Sequence, residues 1–161
     1  MTSSGRPLFG RIVWLMPAAF AVHIVEEFAG GFPEWVRLVT GAAMPVGAFL
    51  ANNAAFMAIL LGLTAWVSIR PSRLPAFALL AWASGNLFWN FVFHLATTML
   101  LDRYSPGLVT AVLLYFPLSA VVAWVTLREG VLGRGAFAGA ATVGAALMLL
   151  VIWARLFEAT A

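Results

Sequence analysis

The chain has 161 residues, of which 63% are hydrophobic and 9% are charged, and its mean hydropathy is +0.99. Soluble domains carry about 25% charged residues, so this composition excludes a soluble enzyme, a disordered protein and a nucleic-acid-binding protein. The net charge of +3 comes from scattered Arg residues without any Lys, and therefore no basic patch is formed. The absence of Cys excludes disulfides and thiolate metal sites.

Five long apolar runs follow one another along the chain. Each is close to the roughly 20 residues that a helix needs to cross the hydrocarbon core of a bilayer. Turn-forming residues such as Ser105-Pro106-Gly107 separate the runs. Because backbone groups in lipid must hydrogen-bond within the chain, the runs are predicted to be helices. The sequence therefore predicts an all-α integral membrane bundle in a single membrane domain, residues 1–161, with spans at about residues 9–28, 46–69, 74–101, 108–127 and 136–157.

The distribution of Arg predicts the orientation of the bundle. With five spans, the N-terminus and the loops after spans two and four lie on one side of the membrane. Six of the nine Arg residues fall on that side, and cytoplasmic loops carry an excess of basic residues. We therefore expect a cell-membrane protein with a cytoplasmic N-terminus and a C-terminus outside. The six are Arg6, Arg11, Arg70, Arg73, Arg128 and Arg134, against Arg37, Arg103 and Arg155.

Polar side chains interrupt the first and third runs. Glu26 and Glu27 lie about 60° and 40° to either side of the His23 direction on a helix, so all three point to one face. Asn90 and His94 lie one turn apart in the third run. Charged side chains inside a span cost about 2.5–3.5 kcal/mol each on insertion scales, which makes them candidates for function.

These polar residues are predicted to share one depth in the membrane. Since consecutive spans run in opposite directions, His23–Glu27, Asn52-Asn53, Asn90 with His94, and Thr110 all fall in the outer halves of their spans. Buried polar groups need partners, so we expect them to meet in one polar layer.

The preferred hypothesis for this layer is a metal site. Two imidazoles and two carboxylates suit zinc or non-haem iron with open coordination positions. The predicted ligands are His23, Glu26, Glu27 and His94, and Glu26 is alternatively a general base. The protein would then be a candidate enzyme for a small lipophilic substrate in the lipid bilayer. The residues predicted to support the ligands are Asn52, Asn53, Asn90, Tyr104 and Thr110.

Three other hypotheses stay open at the level of sequence. Glu26 and Glu27 could be catalytic in metal-free acid–base chemistry, with His94 moving a proton. The same residues could form the relay of a proton-coupled small-solute transporter. The protein could also be a non-catalytic membrane subunit in which polar residues only pack helices together. The sequence does not indicate an oligomeric state.

The polar segments resemble a known family. His23-x-x-Glu26-Glu27 is similar to the motif of the HXXEE domain family of small, multi-pass, mostly bacterial membrane proteins. Phe32-Pro33-x-Trp35, Asn90-x-x-x-His94 and Tyr104-Ser105-Pro106-Gly107-x-x-Thr110 follow in the family's order, from about residue 14 to 118. The resemblance implies a membrane protein in which His23, Glu26, Glu27, Asn90 and His94 act together. It implies no substrate or reaction, because the family is one of unknown function.

Overall fold

The chain folds into a helical bundle. The computed structural model describes residues 8–158, with side chains up to residue 154, and those residues contain no β-strand. Five helices are long and apolar enough to span a membrane, which confirms the predicted all-α fold class. In chain order the helices are α1 (Leu8–Ala29), α2 (Phe32–Thr40), α3 (Val46–Ile69), α4 (Arg73–Leu101), α5 (Leu108–Arg128) and α6 (Arg134–Glu158).

Helix α2 is too short to span a membrane, and the sequence analysis did not predict it. It begins after Gly31 and ends before Gly41, both of which have a left-handed backbone conformation. Trp35 is buried against the bundle, while Glu34 on the opposite side accepts hydrogen bonds from Arg37. These hydrogen bonds lower the pKa of the exposed Glu34 carboxyl. An apolar face and a charged face are typical of a helix that lies at a membrane surface.

Three of the spanning helices are irregular, and two of the irregularities lie beside a proline. Helix α1 is interrupted at Val13, four residues before Pro17, whose ring cannot fit against that carbonyl. Helix α5 contains a π-helical segment at Ala111–Tyr115, just before Pro117. A second π segment in α4, Ser84–Trp89, ends next to Asn90. Such π segments often lie at functional sites, and both are close to the polar residues described below.

Helices α4 and α6 approach closely through small residues. A Cβ atom added at Gly85 would lie 2.9 Å from the Gly144 carbonyl oxygen, so neither backbone leaves room for a side chain there. Two indoles tie α4 to its neighbours: Trp89 Nε1 donates to a carbonyl of α6 at 2.9 Å, and Trp82 Nε1 to one of α3 at 3.3 Å. This packing holds α4, which carries His94, in a defined position.

The beginning of α1 and the end of α5 lie at the same side of the bundle. The Glu129 carboxylate, just after α5, accepts hydrogen bonds from the backbone of Leu8 at 2.9 Å and Phe9 at 3.1 Å. It thus pairs two N–H groups that have no partner within α1. Arg6 and the side chain of Arg155 lie outside the described residues, and the cytoplasmic location of the N-terminus stays a prediction.

Candidate metal centre

Three of the predicted site residues meet inside the bundle. His23 and Glu27 lie on one face of α1 at a spacing of four residues, and His94 faces them from α4. Their exposed fractions are 1%, 5% and 0%. One ligand atom from each residue lies within 4.8 Å of the other two, so the group could hold a metal ion. The three residues thus form a compact polar cluster among apolar helices.

The two separations between the Glu27 carboxylate and the imidazoles match those of metal ligands. Glu27 Oε1 lies 3.4 Å from His23 Nε2 and 3.3 Å from His94 Nε2. Zinc bonds of about 2.0–2.1 Å at tetrahedral angles put neighbouring ligand atoms about 3.3 Å apart. Both Nε2 atoms are buried, and within the described residues neither has a hydrogen-bond partner. The orientation of the two Nε2 atoms therefore suits bonds to one shared metal ion better than direct hydrogen bonds to Glu27.

A hydroxyl group holds the His23 ring in one protonation form. Thr110 Oγ1 lies 2.8 Å from His23 Nδ1 and donates its own proton to Glu26 Oε2 at 2.5 Å. Since the Thr110 proton is used for Glu26, its oxygen accepts the bond from His23 Nδ1–H. The Nε2 lone pair is then free to face Glu27, which is the tautomer that a metal ligand needs.

The second imidazole has a matching partner that the sequence analysis missed. Ser105 Oγ lies 2.8 Å from His94 Nδ1, and Ser105 is fully buried. A hydroxyl oxygen can accept the Nδ1–H bond and leave the His94 Nε2 lone pair facing Glu27. Ser105 belongs to the segment that precedes Thr110, which the sequence analysis treated as a turn and as part of the family resemblance. This segment is the sequence feature from which the partner of His94 could have been predicted.

The loop before α5 lies directly over the site, and Gly107 makes this possible. A Cβ atom at Gly107 would lie 2.7 Å from His23 Cε1 and 2.8 Å from His94 Cε1. The backbone there has φ +106°, a left-handed conformation that favours glycine. On the same loop, Pro106 packs against Gly30 at the end of α1. The loop therefore closes the site with backbone atoms.

Glu26 is not brought together with the group of three. Its carboxylate accepts hydrogen bonds from Tyr104 Oη at 2.5 Å, from Val109 N at 3.1 Å and from Thr110 N at 2.7 Å. The two backbone donors belong to the first turn of α5, where N–H groups lack partners within the helix. Burial raises the pKa of Tyr104 to about 12, and the bond to Glu26 acts in the same direction. Glu26 thus anchors α5 and its Thr110 hydroxyl to α1.

These contacts give each polar position of the HxxEE motif a structural role, and the same motif defines a known protein family. Residues 14–122 match the family described as proteins of unknown function with an HXXEE motif. The chain belongs to this HXXEE family. No curated protein and no solved structure matches it. The matched region contains every residue of the site described above.

In this member of the HXXEE family the two glutamates of the motif face different helices. Glu27 faces His94 on α4. Glu26, one residue earlier, faces the beginning of α5. The motif His23 and the Glu26 carboxylate are then linked through one hydroxyl, that of Thr110. The motif therefore supplies two of the atoms that could hold a metal ion, from His23 and Glu27, and one carboxylate that is linked to the His23 ring through Thr110.

The asparagine residues line a partly open cavity of about 970 Å³ that also reaches the site. Asn53 Nδ2 and Asn86 Nδ2 donate to carbonyls one turn earlier in their own helices, at 3.0 and 2.9 Å. In the described part of the chain, Asn90 Oδ1 is buried without a partner. No hydrogen bond joins any of them to the three clustered residues there. The polar residues lining the cavity include His23, Glu27, Asn52, Asn53, Asn86 and Asn90.

Tyr115 is a second residue at the site that spacing alone did not select. Its ring lies 4.4 Å from the His23 ring, measured between centroids, and it is fully buried. Its hydroxyl has no hydrogen-bond partner in the described residues. Tyr115 ends the π segment of α5, which changes the register of the helix by one residue. The ring thereby packs against the imidazole and limits its rotation.

The Thr110 hydroxyl can be tested by substitution. Thr110→Val keeps the shape of the side chain but leaves His23 Nδ1–H and one Glu26 oxygen without this partner. We expect the affinity for zinc to fall about 10–100-fold, as is typical when a group that orients a ligand is lost. Titration of the purified protein against a chromophoric chelator measures the affinity. Thr126→Val is the control, because that buried hydroxyl bonds only a carbonyl of its own helix; equal losses in both variants would contradict a specific role.

Proposed function

We propose that the protein is a metal-binding membrane protein and that His23, Glu27 and His94 are the ligands of one Zn²⁺ or Fe²⁺ ion. The observation that carries the proposal is the convergence of Glu27 Oε1 with both Nε2 atoms at 3.3–3.4 Å. The Nδ1 atoms of both rings are already bonded to hydroxyls, as in protein metal sites. Helical packing alone would not require two imidazole Nε2 atoms and a carboxylate oxygen to meet at one point.

The set of ligands favours a reactive site over a purely structural one. Structural zinc sites have four protein ligands, whereas two imidazoles and one carboxylate leave open positions. The same set is found with Zn²⁺ in hydrolytic enzymes and with Fe²⁺ in oxygenases. The cavity reaches His23 and Glu27 from between apolar walls. We therefore propose an enzyme that acts on a small lipophilic substrate, with the metal polarising a substrate oxygen.

The neighbouring residues then have defined tasks. Glu26 and Thr110 orient His23, and Ser105 orients His94. The buried Gly107 covers both rings with backbone atoms and thereby excludes water from that side of the site. Glu26 also accepts a hydrogen bond from Tyr104, which is 48% exposed, so the contacts that hold His23 extend to the surface of the protein.

Metal analysis of the purified protein tests the proposal. We expect about one zinc or iron ion per chain in the wild type and none in a His23→Ala/His94→Ala double variant. Glu27→Gln should also lose the ion, because a neutral amide oxygen is a weaker ligand than a carboxylate. Glu34→Gln is the matched control, since that glutamate is exposed and bonds only Arg37. Wild-type protein without a transition metal, or metal retained in the double variant, contradicts the proposal.

A further inference from the structure

Five Arg residues of the described chain lie at one end of the bundle, where the sequence analysis expected no basic patch. The hydrogen bonds from Leu8 and Phe9 to Glu129 place the start of α1 beside the end of α5. A hydrogen bond of 3.1 Å from Trp14 Nε1 to Ser68 Oγ places α1 beside the last turn of α3. Helices α4 and α6 begin at this same end, after short connections from α3 and α5. The five residues, all exposed, are Arg11, Arg70, Arg73, Arg128 and Arg134.

Three of these Arg residues lie close to the hydrogen bond between Trp14 and Ser68. Arg11 precedes Trp14 by three residues, and Arg70 follows Ser68 by two. Even along an extended chain, each Cα atom then lies within about 11 Å of the bonded residue of its own helix. Arg73 begins α4, three residues after Arg70. We call Arg11, Arg70 and Arg73 the arginine site, since α1, α3 and α4 bring them to one part of the surface.

No carboxylate of the described chain neutralises the arginine site. None of its three side chains forms an ion pair with a described residue. At this end the described chain offers one acidic residue, Glu129, whose carboxylate is used by the backbone of α1. At the opposite end, by contrast, Arg37 pairs with Glu34 at 2.5 Å, and Arg103 directly follows Asp102. The positive charges of the arginine site therefore attract anions from outside the chain.

Exposed apolar side chains lie directly beside these charges. Ile69, immediately before Arg70, is 77% exposed, and Leu74, immediately after Arg73, is 66% exposed. The indole of Trp14 is also exposed, as is typical of Trp residues where the hydrocarbon core meets the head groups. A free anion would contact the charges and leave these apolar side chains uncovered. A ligand with an anionic head group and hydrocarbon chains matches both features.

We propose that the arginine site binds the phosphate head group of an anionic phospholipid, whose acyl chains pack against Ile69 and Leu74. A guanidinium group can hold a phosphate through two parallel hydrogen bonds, which gives an Arg site specificity as well as charge. The cytoplasmic leaflet carries a negative surface potential from anionic lipids, and this end of the bundle is the one predicted to be cytoplasmic. The inference is independent of the proposed metal centre, whose residues lie in the later halves of α1 and α4.

Native mass spectrometry of the purified protein with phosphatidylglycerol or phosphatidylcholine of the same acyl chains tests this inference. We expect the wild type to bind phosphatidylglycerol at least about tenfold more tightly, because each basic residue near an anionic lipid contributes about fivefold. Arg70→Gln should weaken the binding of phosphatidylglycerol about fivefold and leave that of phosphatidylcholine unchanged. The triple variant Arg11→Gln/Arg70→Gln/Arg73→Gln should bind both lipids equally.

Two double variants are the matched controls. Arg128→Gln/Arg134→Gln removes two positive charges from the same end of the bundle but away from the arginine site. Arg37→Gln/Arg103→Gln removes two from the opposite end. Both double variants should keep the wild-type preference for phosphatidylglycerol, because the preference is assigned to three residues and not to the net charge of the protein.

The outcomes distinguish a lipid site from a general electrostatic effect. A preference that is lost in the triple variant and kept in both controls supports the inference. Equal affinity of the wild type for the two lipids overturns it. An equal loss in Arg128→Gln/Arg134→Gln also overturns it, because the preference would then come from the overall positive potential of this end. Competition by inorganic phosphate as strong as that by phosphatidylglycerol overturns the assignment to a lipid, since a free anion would then be sufficient.

Discussion

Gly107→Ala is expected to abolish metal binding, with a loss of affinity of more than about 100-fold. The new Cβ atom would lie 2.7–2.8 Å from Cε1 of both imidazoles and 3.0 Å from Glu27 Cγ. These separations are shorter than contact distances between carbon atoms, which are about 3.5–4.0 Å. Because the loop lies directly over both rings and carries Ser105, which bonds His94, relief of the collision displaces the rings or the loop that orients them. The Nε2 atoms would then no longer share one ion.

The control for this substitution must separate collision from backbone strain. A left-handed conformation costs about 1–2 kcal/mol for any residue other than glycine. Gly31 has φ +76°, and a Cβ atom there would meet nothing within 4 Å. Gly31→Ala therefore adds left-handed strain without a collision and should keep its metal. Metal content and zinc titration of both variants make the comparison; a Gly107→Ala protein that binds metal like Gly31→Ala would contradict the geometry of the site.

Removal of the metal should produce the second large effect, a loss of thermal stability. A ligand present at 1,000 times its dissociation constant stabilises the folded state by about 4 kcal/mol. For a chain of this size each kcal/mol corresponds to about 2–4 °C, so a chelator should lower Tm by about 10 °C. Two of the proposed ligands belong to α1 and one to α4, so an ion bound there would tie the two helices together and pair the buried Glu27 carboxylate.

Variants at the ligand and at the surface make this result specific. Glu27→Gln should show one low Tm that does not change with chelator, because it holds no ion to lose. Glu34→Gln should respond to chelator as the wild type does, since it lies on the exposed face of α2. Thermal unfolding in detergent with and without added zinc measures both. A wild-type Tm that is equal under the two conditions would contradict a metal that ties α1 to α4.

The helical architecture could be predicted from composition because lipid imposes simple requirements on a chain. Apolar runs of sufficient length must form helices in a bilayer, and the structure confirms five helices of that kind. The short helix α2 was not predicted. Its apolar residues that face the bundle are interspersed with exposed polar residues, and it contains no long apolar run. Its ends depend on Gly31 and Gly41, whose left-handed backbone conformations only the structure shows.

Part of the site could also be predicted from spacing. A separation of four residues puts His23 and Glu27 on one face of any α-helix. His94 was predicted to join them because the polar residues of the first and third runs were expected at the same depth in the membrane. The structure brings the three side chains together. The position of Asn90 and His94 one turn apart on α4 likewise follows from their spacing. The hydrogen-bond partners of the two Nδ1 atoms could not be predicted from spacing, because Ser105 lies in a loop and Thr110 at the beginning of another helix.

The sequence by itself determined that this chain forms helices long and apolar enough to span a membrane and that His23 and Glu27 share one helix face, since hydrophobic length and helical periodicity are local properties. Only the tertiary structure decided which of two adjacent glutamates joins that group. Glu26 and Glu27 differ by one helical step of about 100°. The rotation of α1 against its neighbours turns Glu27 toward His94 and Glu26 toward the start of α5. That rotation results from packing between distant segments, which no local pattern in α1 records.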